Sequence, residues 1–239
     1  MPPSHLIVLT GFHGSGKDTF ASKLIEANAA FGKSSIRIAL ADPLKDFFWR
    51  LITIILLPTV SPIYRTIHRG IKYAMTSRAQ KIIGGWLGLD ILSMKRFDLD
   101  DTVYKETKTI LGLTIRTWLQ LLGTEVFRHV FGDDFWLRAS RRKIKELFQG
   151  GKDMVIVTDA RFPNEMDGLR RWCRDNEIIF IAIRIVRTAV TPVDMSQLHD
   201  SERFIPTLYV DREITNNGTM AELTATCQSL AAELYQEKE

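Results

Sequence analysis

The segment that most constrains this chain is glycine-rich and lies near its start, with the sequence GFHGSGKDT at residues 11–19. A short apolar run at residues 6–9 precedes it, and apolar residues at helical spacing follow it. Glycines let successive backbone N–H groups turn towards an anion, and a helix N-terminus and the Lys17 ammonium reinforce that attraction. The pattern predicts a phosphate-binding loop (P-loop) for ATP. The predicted ATP-binding residues are Gly11, Gly14, Ser15, Gly16, Lys17, Asp18 and Thr19.

Asp18 departs from the usual P-loop pattern GxxxxGK[ST], because it occupies the position of the hydroxyl that coordinates Mg²⁺. The hydroxyl comes one residue later, at Thr19. A carboxylate is a good hard-oxygen ligand, but it also brings negative charge close to an anionic triphosphate. We therefore expect a water-mediated contact between Asp18 and the metal.

A second acidic position follows the apolar run MVIVT at residues 154–158. Asp159 then stands where a P-loop protein places an acid beside its magnesium ion. Arg161 and Glu165 follow it, on either side of a proline suited to the first turn of a helix. The alternative is that Asp159 caps this helix and has only surface partners. The predicted metal ligands are Asp18, Thr19 and Asp159, and the predicted catalytic residues are Lys17, Asp18, Asp159 and Arg161.

The stretch RTWLQLLGTEVFR at residues 116–128 carries polar groups along one side of a mostly apolar helix. Arg116 could hold a phosphate with both arms of its guanidinium, and Gln120 could hydrogen-bond a base. Gly123 and Thr124 lie one turn further on. Without the P-loop this pattern would be ordinary amphipathicity. Trp136 could stack on a base, although anchoring its helix to the core is the favoured interpretation.

An irregular stretch at residues 187–206 is placed like a mobile lid between two strands. An arginine on a closing loop could neutralise charge on a transferred phosphoryl group, although a solvated loop charge explains each residue equally well. The predicted lid residues are Arg187, His199, Glu202 and Arg203.

Length and composition favour a single α/β domain: 239 residues with 45% hydrophobic content can bury a substantial core. The net charge is only +4, and no stripe of interleaved aromatic and basic residues suggests a nucleic-acid partner. The apolar stretch at residues 47–60 is interrupted by Arg50 and Pro58 and is too short to span a membrane. No signal-peptide pattern occurs, and two distant cysteines predict free thiols, so we expect a cytoplasmic protein.

Strand patterns alternate with helix patterns, which predicts a three-layer αβα fold around a five-stranded, mainly parallel sheet. The predicted strands are residues 5–10, 35–41, 154–158, 178–186 and 207–210. The predicted helices are residues 16–31, 43–56, 61–84, 115–130, 135–149, 164–175 and 220–236. We expect a single domain over 1–239, with a core at 1–43 and 114–239, a helical insert at 44–113 and the lid.

Several motifs together resemble the deoxynucleoside monophosphate kinases of bacteriophages: GFHGSGKDT, ADPLK, RTWLQLLGTEVFR, DDFW, VTDARFPNE, HDSE and NNGT. They run in order over residues 6–223, and the resemblance is weakest between 50 and 110. It implies a P-loop kinase that transfers the γ-phosphoryl group of ATP to a deoxynucleoside 5′-monophosphate, in the host cell cytoplasm. In that family the GKDT form of the loop is usual. The resemblance implies that ATP and Mg²⁺ are bound by Lys17, Asp18 and Thr19. It implies that the monophosphate is bound by Arg116, Gln120, Gly123, Thr124 and Trp136. Asp159, Arg161 and Glu165 would complete the site.

Three other functions stay open from the sequence. One is another small-molecule P-loop kinase, of the dephospho-coenzyme A or phosphomevalonate kinase type. Another is a nucleic-acid-dependent ATPase, which the mildly basic balance permits. The third is a degenerate P-loop scaffold, which the intact Lys17 opposes. The sequence leaves open which bases are accepted. It also leaves the oligomeric state open, with a homodimer as one prediction.

Overall fold

A computed structural model describes residues 4–46, 114, 117, 132, 134–191 and 200–236. Its central element is a five-stranded sheet in the order β2-β3-β1-β4-β5, in which every neighbouring pair is parallel. All six residues of β1 are buried, as expected for a parallel strand covered on both faces. The strands are β1 (His5–Thr10), β2 (Ser35–Ile38), β3 (Met154–Val157), β4 (Ile179–Val186) and β5 (Arg212–Thr215).

Helices cover the two faces of this sheet. They are α1 (Lys17–Ala29), α2 (Phe135–Gln149), α3 (Pro163–Asp175), α4 (Asp200–Arg203) and α5 (Met220–Gln236). Two short 3₁₀ turns, Thr188–Val190 and Ile205–Thr207, lie on either side of α4. The alternation of strands and helices confirms the predicted αβα fold with a five-stranded parallel sheet.

The core consists of two clusters, one on each face of the sheet. Because side chains alternate along a strand, Leu6 and Val8 of β1 belong to one cluster while Ile7 and Leu9 belong to the other. The first cluster includes residues of α2 and α3, and the second includes residues of α1 and α5. The sheet is thereby fixed between two helical layers, and β1, which leads into the P-loop, lies at its centre.

One predicted strand is wrong. Residues 207–210 were expected to form the last strand, but β5 lies at Arg212–Thr215. The apolar character of the earlier run has another cause, since Leu208 is buried and Val210 packs against the same core cluster without pairing to β4. The true strand lies at the edge of the sheet, where alternate side chains are exposed and the sequence is polar.

The second strand ends earlier than the predicted 35–41. The backbone N–H groups of Leu40 and Ala41 donate to the Asp159 carboxylate instead of continuing the sheet ladder. The remaining strands, and the helices at 16–31, 135–149, 164–175 and 220–236, occur within two residues of their predicted limits.

The chain divides into two compact units, Met1–Ala41 with Asp133–Glu239, and Asp42–Gly132. In the second unit residues 42–46 are helical, and the Thr117 backbone N–H donates to Thr114 Oγ1 at 3.1 Å. The rest of the predicted insert at 44–113, and nearly all of the predicted helices at 43–56, 61–84 and 115–130, lie outside the described residues. The single-domain organisation therefore stays a prediction.

Both cysteines are free, as expected, and both are buried. Burial raises the pKa of each thiol, Cys173 and Cys227, to about 12, which keeps them protonated and unreactive. Among the described helices, none combines the length and apolarity that a membrane span requires.

We predict that Asn28→Ala lowers the free energy of unfolding by about 1–2 kcal/mol, because a partly buried hydrogen bond between α1 and β2 is lost. Asn28 is fully buried, and its Nδ2 donates to Ser35 Oγ at 2.9 Å. Urea denaturation followed by circular dichroism measures the change. Ser22→Ala, an exposed change on the same helix, serves as the control and should stay within about 0.5 kcal/mol of wild type. Equal stability of Asn28→Ala and the control would contradict the assignment.

Candidate nucleotide-binding site

The P-loop connects β1 to α1, and its glycines occupy conformations that other residues avoid. Gly11, Gly14 and Gly16 have φ angles of 145°, 78° and 94°, in the left-handed region that favours glycine. A Cβ at Gly11 would also collide with the carbonyl oxygen of Ile185 in β4. The loop is therefore pressed against the sheet, and its backbone rather than its side chains is available for ligand contacts.

The Lys17 ammonium lies over this loop. Its Nζ donates to the carbonyl oxygens of Gly11 at 2.8 Å and Phe12 at 2.7 Å. The pKa of Lys17 is lowered to about 8, chiefly by burial and secondly by the nearby positive charge of Arg161, whereas Asp18, Glu202 and Asp159 act in the opposite direction. The predicted catalytic residues Asp18, Asp159 and Arg161, together with Glu202 of the predicted lid, therefore lie within electrostatic reach of Lys17.

Asp18 lies at the outer edge of this group. Its Oδ1 accepts a hydrogen bond from Arg37 of β2 at 2.5 Å, and both side chains are largely exposed. Thr19 is half-buried in the first turn of α1. The pairing with Arg37 was not predicted, because nothing in the sequence of a short edge strand indicates which loop residue it will contact. The metal role of Asp18 and Thr19 stays a prediction.

Asp159 joins two strand ends. It follows β3, and its carboxylate accepts hydrogen bonds from the backbone N–H groups of Leu40 at 2.5 Å and Ala41 at 3.1 Å. The alternative role as a helix cap is wrong, because the N-cap of α3 is Phe162. Asp159 instead holds the segment after β2 against the end of β3, at the carboxyl edge of the sheet where the P-loop also begins.

Arg161 is held at both its backbone and its side chain. The buried Glu165 accepts hydrogen bonds through Oε2 from the backbone N–H groups of Arg161 at 2.9 Å and Phe162 at 3.1 Å, which closes the first turn of α3. The Arg161 guanidinium pairs with Glu202 of α4 at 3.8 Å. The structure thus gives Glu165 a positioning role, and its predicted contact with substrate stays a prediction.

The other predicted site residues are less closely gathered. Trp136 is only 7% exposed, and its ring packs edge to face against the Phe135 ring, with 4.8 Å between the ring centroids. This is expected for a residue that anchors its helix. Arg187 and Arg203 are exposed, after β4 and at the end of α4 respectively. Outside the described residues lie the other predicted substrate and lid positions, Arg116, Gln120, Gly123, Thr124 and His199.

Asn216, which sequence reasoning did not assign, contacts the P-loop directly. Its Nδ2 donates to the Ser15 carbonyl oxygen at 2.9 Å, and its backbone N–H donates to the Val186 carbonyl oxygen at 2.7 Å. The motif NNGT was the available signal, but placing it required the correct position of β5. A cavity of about 290 Å³ runs along this segment, lined by residues 215–219 and the first turns of α5.

The parallel sheet, the glycine-rich loop between β1 and α1, and the acid after β3 define a P-loop nucleotide-binding protein. A family model described as deoxynucleotide monophosphate kinase matches residues 56–227, well over half of the chain. The chain therefore belongs to the deoxynucleotide monophosphate kinase family.

Relatives with assigned names agree with this family. The deoxynucleoside-5′-monophosphate kinase of Escherichia phage T5 is 26% identical over 237 residues, covering 87% of this chain and 89% of that protein. The deoxynucleotide monophosphate kinase of Enterobacteria phage T4 is 29% identical over 110 residues, covering 46% of this chain and 42% of that protein. The predicted membership of a phage kinase family is confirmed.

Solved structures show a more distant likeness. An APS kinase from Mycobacterium tuberculosis aligns with a TM-score of 0.41 and 12% identity, covering 99% of this chain and 100% of that chain. A gluconokinase from Sinorhizobium meliloti aligns with a TM-score of 0.39 and 15% identity, covering 99% and 98%. At these values the likeness adds nothing to the family assignment.

We predict that affinity for ADP falls as the pH rises from 7.5 to 9.5, by up to about tenfold per pH unit above the Lys17 pKa. In the free protein Lys17 loses its proton near pH 8, and a neutral amine attracts a phosphate less strongly. Calorimetric dissociation constants across this range measure the effect. Lys17→Arg stays charged throughout and should bind with little pH dependence. Equal pH dependence in the two proteins would show that Lys17 is not the titrating group.

Proposed function

We propose that this protein transfers the γ-phosphoryl group of ATP to a deoxynucleoside 5′-monophosphate, giving ADP and a deoxynucleoside diphosphate. Family membership supports the reaction. The observation that carries the proposal is the P-loop itself, with three glycines at positive φ and the Lys17 ammonium drawn over them. Such a loop binds the phosphates of a nucleotide through backbone N–H groups and one mobile cation.

Lys17 is ready to exchange its partners. In the structure it donates to two carbonyl oxygens, of Gly11 and Phe12, which are neutral acceptors. A phosphate oxygen is a stronger acceptor because it is charged. When ATP binds, Lys17 turns from the loop carbonyls to the phosphates, and its contribution grows as charge shifts during transfer.

The oxygen groups near the loop suit Mg²⁺. Within the described residues no group of three acidic, histidine or cysteine side chains could hold a metal ion alone. Mg²⁺ in kinases needs only one or two protein ligands, since phosphates and water complete its shell. Asp18, Thr19 and Asp159 would hold the ion, directly or through water. When bound it neutralises negative charge on the phosphates of the donor.

Acceptor binding completes the reaction without a general base. A nucleoside monophosphate has a second phosphate pKa of about 6, so its attacking oxygen is ionised at neutral pH. The protein must align two anions and screen their repulsion. The proposed acceptor residues are Arg116, Gln120, Gly123, Thr124, Trp136, Asp159, Arg161 and Glu165. The proposed lid residues, which would exclude water, are Arg187, His199, Glu202 and Arg203.

Arg161 connects the acceptor side with the lid. Its guanidinium pairs with Glu202 at 3.8 Å, longer than a direct hydrogen bond, and is about one third exposed. An incoming phosphate offers a closer and more highly charged partner. Arg161 is therefore placed to exchange Glu202 for substrate. This exchange would release Glu202, and with it the lid segment, from its contact with Arg161.

The phage relatives support action in the cytoplasm of an infected bacterium. A homodimer stays a prediction, which light scattering of the purified protein tests.

A coupled assay of ADP release tests the reaction. The acceptors are dTMP, dGMP, dCMP and dAMP, with the ribonucleotides, dephospho-coenzyme A, phosphomevalonate and single-stranded DNA in parallel. We expect at least one deoxynucleoside monophosphate to raise ADP release well above the rate with ATP alone. Stimulation by none of the four would overturn the proposal, and stimulation by dephospho-coenzyme A, phosphomevalonate or DNA would identify the rival function instead.

We predict that Lys17→Ala lowers kcat by about 10²- to 10³-fold, because the loss falls on charge developing in the transition state. Steady-state kinetics with the best acceptor measures the change. The matched control is Lys23→Ala on the same helix, whose side chain pairs with Glu26 at 2.7 Å, away from the loop. It should keep kcat near wild type. A near-normal kcat in Lys17→Ala would remove this residue from the chemistry.

A further inference from the structure

The segment after β5 supports the P-loop at one particular peptide. Asn216 donates through Nδ2 to the carbonyl oxygen of Ser15 at 2.9 Å. That carbonyl belongs to the peptide unit that joins Ser15 to Gly16, directly before Lys17. The Asn216 side chain also lies so close to Gly16 that a Cβ there would collide with Nδ2. Asn216 thus makes both a hydrogen bond and a close contact with the peptide that joins Ser15 to Gly16.

The hydrogen bond fixes the direction of an N–H group. A trans peptide is planar, so its carbonyl and its N–H point to opposite sides. No cis peptide occurs among the described residues. When Asn216 holds the Ser15 carbonyl, the Gly16 N–H must point away from Asn216. Gly16 has a φ of 94° and no side chain to restrict it. Its carbonyl oxygen accepts from the Phe20 N–H at 2.8 Å, and the Asn216 hydrogen bond adds a second constraint, on the peptide before it.

Asn216 is itself rigidly held. Its backbone N–H donates to the Val186 carbonyl oxygen at the end of β4, at 2.7 Å. The neighbouring Asn217 accepts through Oδ1 from the Thr188 backbone N–H at 2.8 Å and donates through Nδ2 to Thr188 Oγ1 at 2.7 Å. The segment is therefore attached to β4 and to the turn that follows it. Because these hydrogen bonds fix the segment, the Asn216 side chain can determine the orientation of the peptide between Ser15 and Gly16.

We propose that Asn216 is a positioning residue for the donor nucleotide, which orients the Gly16 N–H towards a phosphate by holding the Ser15 carbonyl. The inference rests on the proposed use of the P-loop to bind ATP and extends it to a residue about 200 positions away in the chain. Asn216 contacts the loop through the Ser15 carbonyl, so it acts through the backbone of Gly16.

Asn216→Ala tests this role, because alanine cannot donate to the Ser15 carbonyl. We expect a dissociation constant for ADP about tenfold higher than wild type by calorimetry, and a similar rise in KM for ATP. The KM for the monophosphate should not change, since none of the proposed acceptor residues belongs to this peptide. An ADP affinity equal to that of wild type would overturn the proposal.

Asn28→Ala is the matched control. It removes another asparagine hydrogen bond within the fold, about 16 Å along α1 from the loop. It should unfold at lower urea concentration and still bind ADP as wild type does. If both variants lose ADP affinity equally, the effect of Asn216 is a general loss of stability and the proposal is wrong.

Asn216→Asp provides a second variant of the same shape. A carboxylate cannot donate to the Ser15 carbonyl and repels the phosphates, so ADP affinity should fall further than in Asn216→Ala. Affinity equal to wild type in this variant would also overturn the proposal. Wild-type protein that binds no ADP would overturn the proposed function itself, which separates the two failures.

Discussion

The close approach of the P-loop backbone to the sheet is the constraint on which the rest of the site depends. β1 lies between β3 and β4, so the loop that follows it emerges where β4 and β5 also end. A side chain at Gly11 would collide with Ile185, and one at Gly16 would collide with Asn216. The loop is therefore packed closely against β4 and the segment after β5, and a glycine-rich loop of this kind presents backbone N–H groups to an anion.

The charges around this loop are balanced before any nucleotide binds. Burial and the positive charge of Arg161 lower the pKa of Lys17, and three acidic neighbours, Asp18, Glu202 and Asp159, raise it. Arg161 pairs with Glu202, and Asp18 pairs with Arg37. Lys17, with neutral carbonyl acceptors, and Arg161, with a carboxylate at 3.8 Å, thus have partners that a phosphate can replace. Such an arrangement lets the protein hold several like charges together without the full cost of their repulsion.

Sequence patterns correctly predicted the elements whose structure depends on neighbouring residues. The strand, loop and helix at residues 5–29 were predicted closely, because glycine requirements and helical periodicity are encoded in neighbouring residues. The last strand was misplaced, since Leu208 is apolar for packing and not for pairing. The contacts of Asn216 with Ser15 and of Asp18 with Arg37 could not be predicted, because each joins segments that only the folded sheet brings together.

The fate of the γ-phosphate of ATP tests the central claim most directly. The protein is mixed with ATP labelled at the γ-phosphate, Mg²⁺ and all four deoxynucleoside monophosphates, and the products are separated by chromatography. A donor site built for transfer, with water excluded, predicts label in a deoxynucleoside diphosphate and little in inorganic phosphate. Label released only as inorganic phosphate, or not released at all, would contradict the account.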